Sequence, residues 1–246
     1  MGLLPKPRQQ LILKRMPSEL AQVTVENYLL AMYSMEEEGT PPLAGRLAQR
    51  LGVSPPSVTG MFRRMARDGL ITYVQRRQVE LTERGRAMAR DMVRRHRLSE
   101  CFLMEVLGLE WHRCHEAAHR LEHALNPDLE ERISSLLHHP STCPHGNPIP
   151  GNGPGFPAGI SRLAEAQADQ LVVLNHVTDE VEDDQPAMDF LYARGLLPGA
   201  VLHILEVTPF NGTMTVQRGE AGPVAIGLTL ASKLWVRPAA VVEAPD

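Results

Sequence analysis

The chain has 246 residues, of which 43% are hydrophobic and 22% are charged, and its formal net charge is -4. It contains no run of about 18 apolar residues, and this argues against a membrane-spanning helix. Three cysteines (Cys101, Cys114 and Cys143) are too few, and odd in number, for a disulfide framework, which favours a reducing compartment. We therefore expect a cytoplasmic globular protein with two or three folded units and no membrane partner.

The charge is divided unevenly along the chain. Residues 1–97 carry a net charge of +8, whereas residues 98–246 carry -12. A basic half joined to an acidic half is typical of a polyanion-binding module attached to a second functional unit. Drift in composition would give the same asymmetry, so the choice between the two depends on the motifs.

Residues 17–89 have the pattern of a winged helix-turn-helix domain. Apolar spacing and turn signals predict three helices and then a two-stranded wing, over 17–39, 42–51, 54–69, 70–74 and 79–82. Ser54 is placed to cap the third helix, and Gly69 to end it. A helical domain with an arginine-rich solvated face is the structural alternative to a DNA-binding domain.

The third helix has the features of a recognition helix. Short polar side chains near its N-terminus suit an approach to base edges in the major groove, and arginines further along suit phosphate contacts. The candidate DNA-binding residues of the domain are Thr24, Ser54, Pro56, Ser57, Thr59, Arg64, Arg67 and Arg77.

The rest of the chain is predicted to form two further domains joined by a linker. Apolar periodicity predicts helices over 82–107, 109–125 and 126–137, and these give a helical domain at 90–140. Residues 141–160 are rich in Pro and Gly and are predicted to be a linker. Short alternating apolar runs over 161–246 predict a small, mainly β domain, which we expect to be a barrel.

Metal-capable side chains cluster on the second of these helices. An α-helix turns by about 100° per residue. On this helix, four metal-capable side chains therefore lie within an arc of about 100° of the circumference, namely His115, His119, Glu122 and His123. The preceding helix carries His96 and Glu100 at i,i+4 spacing. Imidazole and carboxylate ligands suit Mn²⁺, Fe²⁺, Zn²⁺ or Co²⁺, whereas the structural alternative is a set of buried histidines that bind no ion.

Two functions of other classes are also considered. The segment His119-Arg-Leu-Glu122-His123 matches the H-x-x-E-H pattern of a zinc metallopeptidase. Such an enzyme needs a third ligand and a large substrate chamber, which the short linker and small C-terminal domain do not offer. The other alternative is a metal carrier whose DNA domain does not function. We expect a protein that is not an enzyme.

Several segments together carry a family resemblance. They are Thr24-Val-Glu-Asn-Tyr28, Leu51-Gly-Val-Ser-Pro-Pro-Ser-Val-Thr59, Arg67-Asp-Gly-Leu70, Arg95-His-Arg-Leu98, Glu122-His123 and Cys143-Pro-His-Gly-Asn-Pro-Ile-Pro150. The combination resembles the diphtheria-toxin-repressor family of bacterial metal-dependent transcription regulators, which has iron-dependent and manganese-dependent branches. The segment Leu191-Tyr-Ala-Arg-Gly-Leu-Leu-Pro-Gly199 is similar to the Src-homology-3-like C-terminal domain of that family.

The resemblance implies two metal sites. The primary site of the family falls on Asn27, His119, Glu122 and His123. The ancillary site falls on His96, Glu100 and His115, with Asp184 or Gln185 contributed by the C-terminal domain. The resemblance also implies a homodimer that binds a palindromic double-stranded DNA operator when metal-loaded and represses metal-uptake genes. In that mechanism, metal ligation by Asn27 and the 119–123 segment sets the spacing of two recognition helices.

The metal is predicted from the ligand types. Iron-type members of the family have methionine and cysteine where this chain has Asn27 and His119. Because sulfur is absent from the predicted site, the nitrogen and oxygen ligands favour Mn²⁺, with Fe²⁺ next. The manganese branch has a further carboxylate at the position of Leu30, so the two-metal arrangement of that branch is not expected to apply here.

Overall fold

The structure is a computed structural model that describes residues 24–75 and 78–239. The predicted wing residue Arg77 lies outside the described residues. The chain divides into two compact units, Met1–Val93 and Arg94–Asp246, and the boundary falls within a long helix. In the described ranges, no helix is both long and apolar enough to cross a membrane.

The first unit is a winged helix-turn-helix, as the sequence predicts. Its elements are α1 (24–37), α2 (Ala44–Arg50), α3 (Pro55–Arg67), β1 (Ile71–Gln75), β2 (Gln78–Leu81) and the first part of α4 (Glu83–Glu105). The strands β1 and β2 pair in antiparallel fashion. Apolar side chains from all of these elements form one core, including Leu29, Leu47, Val58, Met65 and Val79.

Local sequence explains where α3 begins and ends. The Ser54 hydroxyl accepts a hydrogen bond from the Ser57 backbone N–H at 3.3 Å, and Pro55 occupies the first helical position, where no N–H is needed. Gly69 follows the helix with φ of +70°, a conformation that glycine adopts without a Cβ clash.

The second unit begins with the rest of α4 and a group of short helices. These are a 3₁₀ turn (Trp111–Arg113), α5 (Cys114–Leu121), a second 3₁₀ turn (Glu122–Ala124) and α6 (Pro127–Leu136). The sequence predicts one helix over 109–125, whereas the structure shows three pieces. The end of α5 tightens because the residue before Pro127 is kept out of the helical region and the last turn closes with i→i+3 bonds.

The first half of the predicted linker is folded into the core of the second unit. Four alternate residues are buried, namely Cys143, His145, Asn147 and Ile149. Leu98, Cys101, Leu137, Cys143 and Ile149 share one apolar cluster. Proline and glycine content predicts an irregular backbone, but it does not tell whether that backbone is buried.

A six-stranded antiparallel sheet makes up the rest of the second unit. Its elements are β3 (Ser161–Arg162), β4 (Leu171–Val177), α7 (Asp179–Glu182), α8 (Gln185–Ala193), β5 (Val201–Thr208), β6 (Thr213–Gln217), β7 (Val224–Gly227), α9 (Leu228–Ala231) and β8 (Leu234–Pro238). The strand order is β3-β8-β4-β5-β6-β7. This confirms the class of the predicted domain. The expected barrel, however, is not closed among the described residues, because its two-residue edge strand β3 offers few groups for pairing.

Candidate metal centre and DNA-binding surface

The second unit contains a largely buried group of histidines and carboxylates, which we call the histidine–carboxylate cluster. Its members are His96, Glu100, His115, His119, Glu122, His123, His145, Glu182 and Asp183. The cluster draws these side chains from α4, α5, the 3₁₀ turn after α5, the 143–149 segment and α7.

The side chain of His96 links two carboxylates through its two ring nitrogens. Its Nε2 lies 3.1 Å from Glu100 Oε1, one turn further along α4. Its Nδ1 lies 2.6 Å from Glu122 Oε2. All three residues are almost completely buried. The i,i+4 pair on α4 is therefore joined to the helix end at Glu122, as a shared metal environment requires.

His115 joins α5 to the acidic segment at α7. Its Nδ1 lies 2.7 Å from Glu182 Oε2 and 3.0 Å from Glu100 Oε1. Its Nε2 lies 3.1 Å from Asp183 Oδ1 and 3.1 Å from His119 Nε2. Both nitrogens of this buried imidazole thus face groups that are able to bind a metal.

His145 reaches the same carboxylates from the 143–149 segment. Its Nδ1 lies 3.1 Å from Glu100 Oε1 and 3.2 Å from Glu182 Oε2. Its Nε2 donates to the Trp111 carbonyl oxygen at 3.0 Å. Because a carbonyl only accepts, this bond directs Nδ1 towards the carboxylates, in the way that outer hydrogen bonds orient metal ligands.

Glu122 is also the centre of the predicted primary site. Its Oε1 lies 3.6 Å from His119 Nδ1 and 3.4 Å from His123 Nε2. The structure therefore brings together three of the four residues assigned to that site. The fourth, Asn27, is exposed on α1 and belongs to the first unit, so its role as a ligand stays a prediction.

Burial and charge perturb the protonation of the cluster. Burial lowers the pKa of His96, but attraction by Glu100 and Glu122 outweighs it and raises the pKa to about 9. Burial raises the pKa of Glu122, but His96 and His119 outweigh it and lower the pKa to about 2. For His119, burial dominates and lowers the pKa. Without a metal, protonated His96 compensates the buried carboxylates.

These shifts predict how the stability of the metal-free chain depends on pH. The pKa of His96 is raised from 6.5 to about 9, so its stabilising effect is present below pH 6.5 and is lost as the pH rises through 9. The pKa of Glu122 is lowered from 4.5 to about 2, so its effect is lost as the pH falls through 2. Urea unfolding of chelated protein should give a free energy that falls between pH 6.5 and 9. A free energy that rises over that interval would contradict the pairing of His96 with Glu100 and Glu122.

The residues of the cluster fit a divalent metal ion. Within the described ranges, Glu100 Oε2 and Glu122 Oε1 are buried side-chain oxygens without a hydrogen-bond partner, although buried polar atoms nearly always have one. Ligand atoms of three sets, His96–His115–His119, His96–Glu100–His115–Glu182 and Glu100–Cys143–His145, lie within 4.8 Å of one another in each set. A cation would satisfy the two carboxylate oxygens.

Comparison with known proteins places the chain among metal-dependent regulators. Residues 21–79 match the N-terminal DNA-binding domain of iron-dependent repressors, and residues 82–151 match their metal-binding and dimerisation domain. Residues 161–238 match the FeoA domain. The iron-dependent repressor IdeR of Mycobacterium tuberculosis is 40% identical over 206 residues, which cover 80% of this chain and 89% of that protein.

This chain belongs to the iron-dependent repressor family.

Further relatives come from both metal branches of the family. The diphtheria toxin repressor of Corynebacterium jeikeium is 34% identical over 220 residues. These residues cover 78% of this chain and 92% of that repressor. Among solved structures, a manganese-dependent transcriptional repressor in complex with manganese has a TM-score of 0.80 at 30% identity. The match covers 87% of this chain and 100% of the manganese-dependent repressor. The manganese regulator SloR has a TM-score of 0.74 at 26% identity, with 87% and 98% covered.

The acidic side chains that the C-terminal part of the chain contributes to the cluster lie next to the predicted positions in the sequence. The sequence assigns Asp184 or Gln185, but the side chains that reach His115 are those of Glu182 and Asp183. The Asp184 carboxylate instead caps α8, accepting from the Ala187 N–H at 3.2 Å. The sequence around α7 contains several acids in succession, and only the fold shows which of them face the cluster.

Sequence reasoning also missed the contribution of the 143–149 segment. Cys143 and His145 both belong to a possible ligand set with Glu100. The Cys-Pro-His motif, with two residue types that bind metals, was the signal in the sequence, but only the structure shows that both side chains are buried beside Glu100. Sulfur is absent from the predicted sites, but it is present in this set, which suits metals softer than Mn²⁺.

Six of the candidate DNA-binding residues in the first unit lie on or beside α3, and Thr24 is exposed at the start of α1. Four of them (Ser54, Pro56, Ser57 and Thr59) are exposed at the N-terminal end of α3. Arg67 is also exposed, and Arg64 is half-buried. The two arginines lie 3.4 Å and 3.7 Å from Asp68 carboxylate oxygens. These surface pairs are weak, so both arginines can turn to phosphates at little cost.

Proposed function

We propose that this chain is a metal-dependent transcriptional repressor that binds palindromic operator DNA as a homodimer when it holds Mn²⁺ or Fe²⁺. The observation that carries the proposal is the histidine–carboxylate cluster, in which two buried carboxylate oxygens have no hydrogen-bond partner within the described part of the chain. In the same chain, the polar N-terminal end of α3 is exposed. A metal sensor needs the first feature and a DNA reader needs the second.

We assign the metal ligands to two groups. His119, Glu122 and His123, together with Asn27, form the proposed primary site, and His96, Glu100, His115 and Glu182 form the proposed ancillary site. When bound, a divalent ion supplies coordination bonds that tie ligands from separate elements together. The surrounding residues exclude water and orient the imidazoles, so that ion binding favours one arrangement of the helices.

Mn²⁺ is our first choice of physiological ion and Fe²⁺ our second. The nitrogen and oxygen ligands of the primary site favour Mn²⁺. The relatives include both manganese-dependent and iron-dependent repressors, which supports Mn²⁺ and Fe²⁺ as the two candidate ions. We further propose that the regulated genes serve uptake of the same metal. The domain limits 17–89, 90–140, 141–160 and 161–246 also stay a proposal.

We propose no catalytic role for the chain. In an H-x-x-E-H peptidase the glutamate activates water, whereas Glu122 Oε2 is held 2.6 Å from His96 Nδ1. A metal carrier without DNA function would have no use for an exposed, polar α3 face. Both alternatives predict that DNA binding does not depend on metal.

The decisive experiment is a duplex-DNA titration of chelated full-length protein at fixed salt, using its own promoter region. We expect Mn²⁺, and then Fe²⁺ under anaerobic conditions, to tighten binding. His123→Ala should lose this response, whereas His203→Ala, a half-exposed histidine on β5, should keep it. DNA binding that is indifferent to every metal would contradict the proposal. A response only to Zn²⁺ or Ni²⁺ would contradict the choice of metal.

A further inference from the structure

We propose that Gly60 on α3 receives the methyl group of an operator thymine in the space that its missing side chain leaves open. Gly60 thereby contributes to sequence specificity. The inference deepens the proposed function and rests on its binding of duplex DNA through α3. It adds a specificity-determining residue to the candidate DNA-binding residues named above, and it assigns one kind of base to that residue.

Gly60 lies at the centre of the exposed face of α3. The buried residues of this helix are Val58, Phe62 and Met65. At about 100° per residue, Gly60 lies about 160° around the helix axis from Val58, on the side opposite the core. Gly60 itself is exposed. Because the second helix of a helix-turn-helix enters the major groove, Gly60 is placed to approach base edges.

The fold of the chain does not require a glycine at this position. After proline, glycine is the least favourable residue in a helix interior. Gly60 lies inside the helix Pro55–Arg67 and is not one of the glycines with positive φ. Among the described residues, nothing lies within 4 Å of a Cβ built on Gly60, whereas a Cβ on Gly85 in α4 would clash with the Leu70 carbonyl. Close approach by an external group therefore explains Gly60 better than packing within the chain.

The surroundings of Gly60 suit an apolar group. Pro56 is exposed one turn before Gly60 on the same face of α3. The hydroxyl groups nearby have partners within the helix: Ser57 Oγ lies 2.8 Å from Ser54 Oγ, and Thr59 Oγ1 donates to a backbone carbonyl at 3.0 Å. Neither hydroxyl needs a base as its partner. The apolar group that base edges present in the major groove is the thymine methyl.

Arginines further along the same face hold α3 in the groove. Arg63 and Arg67 are exposed and Arg64 is half-buried, and all three lie on the side of the helix that carries Gly60. Contacts between arginine and phosphate fix the register of a protein on DNA but carry no sequence information. The register that they fix brings one base pair to Gly60, which supplies the specificity that the arginines lack.

The test compares two forms of the same promoter duplex, one synthesised with thymine and one with uracil, which lacks the methyl group. Binding by the full chain is measured at fixed salt and saturating Mn²⁺. The unmodified chain should bind the uracil duplex at least about fourfold more weakly, since one buried methyl group contributes about this factor. Gly60→Ala should bind the thymine duplex about tenfold more weakly, because two methyl groups would occupy one space. It should bind the uracil duplex as tightly as the unmodified chain does.

Gly45→Ala is the matched control. Gly45 is an exposed glycine on α2, and a Cβ built on it would also meet nothing within 4 Å among the described residues. This variant should keep the preference of the unmodified chain for thymine. In urea unfolding, Gly60→Ala should raise the equilibrium constant for folding about fivefold, as helix propensity predicts. Stability and operator affinity then change in opposite directions, which a purely structural glycine would not show.

The proposal is overturned if Gly60→Ala binds the thymine duplex as the unmodified chain does, loses affinity equally for both duplexes, or is less stable. The same loss of preference in Gly45→Ala would also overturn it. Failure of the proposed function would appear in the unmodified chain, as binding to the thymine duplex that does not respond to metal. Failure of the thymine-methyl proposal would leave that metal response intact, so the two failures are distinguishable.

Discussion

Replacing Glu122 with glutamine is expected to abolish metal-stimulated DNA binding. The Glu122 carboxylate is completely buried, with Oε2 2.6 Å from His96 Nδ1 and Oε1 3.4 Å from His123 Nε2. The amide removes the negative charge and one oxygen ligand at nearly constant volume. Loss of an outer partner of a metal site costs about 10- to 100-fold in affinity, and loss of a ligand should cost more.

The measurement is a Mn²⁺ titration of operator binding by the full chain. Glu116→Gln is the matched control, since Glu116 lies on α5 with its side chain 76% exposed and pairs with Arg120 at 3.4 Å. The control should respond to Mn²⁺ as the unmodified chain does. A Glu122→Gln variant that is folded and still responds at the same Mn²⁺ concentration would remove Glu122 from the metal site.

Replacing Gly146 with alanine is expected to cause a large loss of stability. Gly146 has φ of +87°, and an added Cβ would lie 2.1 Å from the Asn175 carbonyl oxygen and 2.9 Å from His176 Cα. The left-handed conformation costs a non-glycine residue about 1–3 kcal/mol, and the backbone clash adds to that cost. We expect the free energy of unfolding to fall by about 3 kcal/mol or more. Cys143 and His145 should shift away from Glu100.

Gly155→Ala separates the cost of the positive-φ backbone conformation from the cost of the Cβ clash. Gly155 has nearly the same φ, +88°, but an added Cβ would meet nothing within 4 Å. Both variants carry the same change in unfolded-state entropy, so their difference in urea unfolding reports the close approach alone. Gly155→Ala should lose only about 1–2 kcal/mol. Equal losses in the two variants would show that Gly146 does not approach Asn175 and His176 of β4 this closely.

The helices and strands of the first unit could be predicted from the sequence because their signals are local. Ser54, Pro55 and Gly69 mark the ends of α3 through capping, fixed φ and positive φ, and each effect acts within a few residues. The pairing of His96 with Glu100 follows from helical spacing in the same way. Local rules were less successful at Glu122, where the helix tightens into a 3₁₀ turn.

The sequence by itself determined the family, the fold class and most of the candidate ligands, because helix periodicity, caps and motif spacing are written in neighbouring residues. Only the tertiary structure decided that Glu182 and Asp183, not Asp184, reach His115. It also brought Cys143 and His145 to Glu100, 43 and 45 positions away in the chain. Contacts at such separation depend on how a loop packs against a core, and no local pattern encodes that packing.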